Sequence, residues 1–262
     1  MSIDAPVVEA VIAPPESDAT AYEPIEIDYT HIITEDDTPV DNLFSERQQR
    51  LLAESLYASW HVVGEGRPFL AMTNVGLFFA LSTPPYVPDA LVSLDVRPPD
   101  NPFPKKNRSY FIWEYGKPPE IVVEIVSNRK GGELDEKLDG YVRLGVTYYI
   151  VYDPELHLTR QPLYVFARRD LRFVAVAPDA LPGIGLGVTL WDGEYEEMTG
   201  TWLRWIDGEG NLLLTGKERA EQERQRAEQE HQRAEQERQR ADALAAKLRE
   251  LGIDPDQVAV GD

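Results

Sequence analysis

Two apolar segments, EIVVEIVS at 120–127 and TYYIVYDP at 147–154, bracket an amphipathic stretch, ELDEKLDGYVRL at 133–144. Runs with little polar alternation read as strands covered on both faces. Between them Leu134, Leu138, Tyr141 and Val142 recur at helical spacing, and Gly145 is placed to end the helix. A strand, a crossing helix and a second strand predict a mixed α/β sheet. Within the first strand one residue contradicts its neighbours. Glu124 is a carboxylate in an apolar run, and leaving it buried and unpaired would cost several kcal/mol, roughly. A cation, a hydrogen-bond network or a metal has to compensate.

The rest of the chain adds elements to this unit. NLFSERQQRLLAESLYASW, within 41–60, reads as a helix with Ser45 as its cap. Val75–Leu81, Ala90–Val96, Leu163–Ala167, Leu171–Ala177 and Leu186–Trp191 read as strands, the third and fourth as a hairpin around RRD. WLRWIDGEGNLLLTG reads as a terminal hairpin turning at Gly208–Gly210. From Ala220 to Arg240 the units AEQERQR, AEQEHQR and AEQERQR repeat every seven residues. Alanine is the one apolar residue per unit and Glu223, Glu230 and Glu237 fall at d, a poor coiled-coil seam. Glu–Arg pairs three residues apart suit a solvated helix of roughly 50 Å, with weak self-association open at Leu244, Leu248 and Leu251. The expected division is an acidic disordered head at 1–40, a domain at 41–216, a charged helix at 217–251 and a short tail at 252–262.

Charge is uneven. The net charge is −20, and residues 1–46 hold twelve acids and no Lys or Arg. Residues 47–216 hold 22 acids and 17 bases, a net of −5. A balance of this sign argues against tight non-specific binding to nucleic acid. There is no cysteine, which excludes disulfides and thiolate chemistry. Neither a basic n-region nor a membrane-length apolar run occurs, so a soluble cytoplasmic protein with no membrane partner is expected.

Candidate partners for Glu124 follow. Asp89 opens the strand Ala90–Val96, and two acids at the ends of neighbouring strands can form a hard oxygen site for Mg²⁺. Asp95, further along that strand, is an alternative. Lys137 flanks the buried face of the following helix and can reach back toward the carboxylates. Spacing alone favours a structural ion pair, Glu133–Lys137 or Glu124–Lys137. Two basic clusters could contact phosphates: Lys105, Lys106 and Arg108, which solvated loop charges explain better, and Arg129–Lys130, which leaves the Glu124 strand and for which either reading fits. Trp113 and Tyr110 fit core packing better than base stacking. His31, His61, His157 and His231 show no ligand spacing.

PDALVSLDV, VVEIVS and EKLDGYVRLGVTYYIVYDP together resemble the Uma-two restriction-endonuclease family of the PD-(D/E)XK nuclease superfamily, over roughly residues 30–215. SERQQRLL, RSYFIWEYGKPPE and the RAEQE repeats resemble a bacterial subgroup. The resemblance implies a restriction-endonuclease-like mixed sheet flanked by helices, with a long C-terminal helical extension. It implies a metal-dependent endonuclease acting on DNA, with Asp89 and Glu124 as ligands of Mg²⁺ (or Mn²⁺), helped by the Ile125 carbonyl. The triplet Glu124–Ile125–Val126 lacks the superfamily lysine, and Lys137 is the matching residue on the next helix. Glu46 matches an acid that assists the metal in related nucleases; a first-turn acid favoured by the helix dipole explains it equally. A homo-oligomer would suit two-strand cutting. The alternative is a catalytically silent nuclease fold used as an interaction module, and the acidic head could mimic DNA over the basic loops.

Overall fold

The computed structural model describes residues 42–252 and 254, apart from 65, 128–131 and 159. The acidic head, Arg129, Lys130 and most of the 252–262 tail therefore lie outside the described residues.

Helix α1 (Leu43–Val63) is capped by Asn42, whose side chain accepts from the Ser45 backbone N–H at 2.9 Å. Ser45 is thus not the cap; it is buried in the first turn. Strand β1 (Phe69–Thr73) follows, missed in the sequence reading, then β2 (Leu77–Phe78), far shorter than the apolar run around it. Then come β3 (Ala90–Leu94), a 3₁₀ turn (Lys105–Asn107), β4 (Tyr110–Phe111) and the one-turn α2 (Ile112–Tyr115). The central unit is β5 (Ile121–Ile125), α3 (Glu136–Leu144) and β6 (Tyr148–Tyr152). Gly145 ends α3 at φ 89°, a left-handed position that glycine takes without strain. β7 (Leu163–Arg169), β8 (Arg172–Ala175), β9 (Gly187–Tyr195), β10 (Met198–Ile206) and α4 (Gly216–Glu250) complete the chain.

Six strands form one sheet in the order β1-β3-β5-β6-β7-β8, antiparallel except for the parallel pair β5–β6 that α3 joins. This is the expected restriction-endonuclease-like mixed sheet flanked by helices, with a long C-terminal helix. The terminal hairpin differs from expectation. β10 pairs with β9 through all nine of its residues, and past Gly208–Gly210 the chain returns only to a single bridge, Ile206–Leu212.

Both sheet faces are covered. On one, Leu52, Leu56 and Trp60 of α1 pack with Val123, Ile125 and Ile150 of the sheet and Leu203 and Trp205 of β10. On the other, Tyr141 of α3 packs with Leu91, Val122, Val126, Tyr149 and Val151. Burial on both faces explains why β5 and β6 read as near-continuous apolar runs.

Candidate active site

Register brings the two candidate ligands together. β3 and β5 run antiparallel with Ala90 opposite Val123, so the next pair outward sets Asp89 opposite Glu124. Side chains alternate along strands, so Glu124 shares its face with Val122 and Val126, the face that α3 covers. Asp89 lies just outside β3, at the rim of the sheet. Asp89 also extends the ladder where backbone pairing stops: its Oδ2 accepts from the Ile125 N–H at 2.6 Å. Its Oδ1 accepts from Gln49 Nε2 of α1 at 2.6 Å.

Glu124 is 2 % exposed, and α3 supplies what its burial requires. Lys137 Nζ donates to its Oε2 at 2.8 Å, and the Tyr141 hydroxyl donates to its Oε1 at 2.6 Å. Burial pushes the Glu124 carboxyl above the ordinary carboxylate value, against the pull of Lys137 and Tyr141. Burial would lower the Lys137 ammonium, but Glu124 and Glu133 outweigh it and raise its pKa, so it is charged at neutral pH. The Tyr141 hydroxyl is held well above its ordinary value by burial, then by the Glu124 charge. It therefore acts as a donor.

A third carboxylate lies one turn before Lys137. Glu133 is buried, and its Oε1 is 3.4 Å from Lys137 Nζ. Its Oε2 is buried with no hydrogen-bond partner. Its backbone carbonyl accepts from the Tyr149 hydroxyl at 2.9 Å, which fixes the turn into α3.

The structure thus brings Asp89, Glu124, Ile125 and Lys137 together. It sends Glu46 elsewhere: that carboxylate pairs with Arg50 and lies 3.7 Å from Arg47, in an exposed group that also holds Glu196. The α1 residue that reaches Asp89 is Gln49. Asp95 sits at the far end of β3 and pairs with Arg67 at 2.7 Å. Tyr110 is a core residue stacked on Tyr115 at 4.4 Å, and Trp113 tilts against Phe111 at 5.1 Å, as core packing predicts. Lys106 and Arg108 are exposed at the 3₁₀ turn. Gln49, Glu133 and Tyr141 were not singled out as site residues. Glu133 alone carried a signal, its four-residue spacing from Lys137.

The donor set of Asp89, Glu124 and the Ile125 carbonyl is all oxygen, which suits a hard cation, though each carboxylate oxygen of Asp89 and Glu124 already accepts a protein hydrogen bond; the buried carboxylate oxygen without a partner is Oε2 of the adjacent Glu133. Among the described residues, however, no three His, Cys, Asp or Glu side chains group so as to enclose a metal. Two carboxylates with a backbone carbonyl and water or phosphate oxygens is the arrangement Mg²⁺ commonly accepts. No helix among the described residues is long and apolar enough to cross a membrane.

The family model for Uma2, described as "Putative restriction endonuclease", matches residues 32–190. No curated protein matches the chain.

Proposed function

The chain belongs to the Uma2 family, and from that premise we propose that it is a metal-dependent endonuclease hydrolysing DNA phosphodiester bonds, with residues 41–216 as its nuclease-like domain. One observation carries the reading: the Asp89 carboxylate is bonded to the Ile125 N–H, next to Glu124, and Lys137 is bonded to Glu124. Asp89 and Glu124 would hold Mg²⁺ or Mn²⁺, helped by the Ile125 carbonyl. A divalent ion there supplies Lewis-acid polarisation of the phosphate and a lowered pKa for a bound water. Gln49 and the Ile125 N–H fix the Asp89 carboxylate, so its orientation is set before any ligand arrives. Tyr141 does the same for Glu124. The Lys137 ammonium orients the attacking water or stabilises charge developing on the phosphate.

Calorimetric titration of Mg²⁺ and Mn²⁺ into the wild type and Glu124→Ala is the direct test. Binding in the wild type and its loss in the variant is the expected result. Lys137→Ala should keep metal binding and lose DNA cleavage by about 10²-fold or more; full activity in that variant would overturn its assigned role. A second reading, a silent nuclease fold serving as an interaction module, is favoured by one fact. Both oxygens of Glu124 already have protein partners. Absence of metal binding in the wild type would favour it.

A further inference from the structure

Lys137 and a divalent ion would compete for Glu124 Oε2. The ammonium is 2.8 Å from that oxygen, and Tyr141 occupies the other. An arriving cation meets a like charge at that oxygen, and the repulsion favours a shift of Lys137. Glu133 is built to receive it. Its Oε1 is already 3.4 Å from Nζ, so the shift is a small turn about the lysine side chain. Its Oε2 is buried without a partner, an unfavourable state that a purely structural carboxylate has no reason to keep. The Glu133 carbonyl is tied to the Tyr149 hydroxyl, which holds the residue in the turn that enters α3, four residues before Lys137.

We propose that Glu133 is a positioning residue: it takes over the Lys137 ammonium when a divalent cation occupies Glu124, keeping the lysine charged and beside the reacting phosphate. The inference rests on the metal-dependent reading above. It makes Lys137 a competitor of the metal in the resting protein and Glu133 the group that relieves the competition.

The test is calorimetry with Mg²⁺ and Mn²⁺ on the full chain, comparing wild type, Lys137→Met, Glu133→Gln and the double variant, with circular dichroism as the folding control. Lys137→Met should tighten metal binding and Glu133→Gln should weaken it, each roughly five- to tenfold. In the Lys137→Met background Glu133→Gln should change nothing, because its effect passes through the lysine. If Glu133→Gln weakens binding equally in both backgrounds, Glu133 is itself a ligand and the handover is wrong. If Lys137→Met weakens binding, or Glu133→Gln leaves it unchanged in the wild-type background, there is no competition to relieve. A wild type that binds neither ion removes the metal reading together with the handover. Wild-type binding without the opposed shifts removes the handover alone.

Discussion

Glu124 shows how one buried charge is made tolerable by residues from a single helix. Its two oxygens take an ammionium and a phenol, both from α3. Tyr141→Phe removes the phenol donor while keeping the ring, which packs on Tyr86 and Tyr149. The bare Oε1 should then lower stability by about 1–3 kcal/mol, read from urea denaturation midpoints. Tyr149→Phe, which removes a donor to a neutral carbonyl, should cost less, about 0.5–1.5 kcal/mol. Equal losses in the two variants would mean that the Glu124 charge gains nothing from its phenol. Glu124 was legible in the sequence because a carboxylate in an apolar strand has no ordinary explanation. Gln49 was not: a glutamine on an amphipathic helix looks like any polar surface residue, and only the fold brings it to Asp89. Tyr141 was hidden for the opposite reason. Its ring belongs to the apolar stripe, and it is its hydroxyl that reaches Glu124.

Among the elements, α4 depends on a buried contact at its first turn. Thr215 and Glu218 form a capping box, and Glu218 accepts both Arg204 donors at 2.7 Å. Arg204 is 1 % exposed and packs over Trp191 at 4.9 Å. Burial alone would raise the Glu218 pKa; the Arg204 hydrogen bonds and the Thr215 N–H outweigh it and hold the carboxyl below its ordinary 4.5. A depressed carboxyl stabilises the fold above its unfolded pKa, and this contribution disappears as pH falls through the lower folded value. Glu218→Ala should therefore destabilise by roughly 2–4 kcal/mol at pH 7, below the full buried-pair range because a third of Glu218 is exposed. The difference from wild type should shrink below about pH 4.5; a difference constant from pH 3 to 7 would show that the charge is irrelevant. The heptads announced α4, whereas the β9–β10 turn gave no warning. Glu196 and Glu197 both adopt positive φ, 46° and 65°, where Asn-Gly is the usual signal. β1 was equally quiet, a five-residue strand whose burial pattern does not alternate.

For the molecule as a whole, charge and exposure set expectations at its two ends. Beyond Arg219, which donates to the Ala58 carbonyl, residues 220–244 are exposed, and Leu244 and Leu251 remain open to solvent. Truncation after Gln225 should leave domain stability within about 0.5 kcal/mol, since no core contact is lost. A drop of oligomeric mass in the same variant, by light scattering, would place self-association in the leucine segment. At the other end, residues 1–40 carry ten acids and no Lys or Arg, half of the net charge of −20. If the domain binds DNA as proposed, a tethered polyanion would compete with DNA for its cations and repel it at long range. Deleting 1–40 from a Lys137→Ala background, where DNA is not cut, should raise affinity for a duplex measured by fluorescence anisotropy. The increase should be largest at low salt and fade as ionic strength rises, because both effects are screened. An affinity unchanged at low salt would show that the head does not compete. Residues 41–262 would then oppose DNA with the remaining net −10, half of it on residues 47–216.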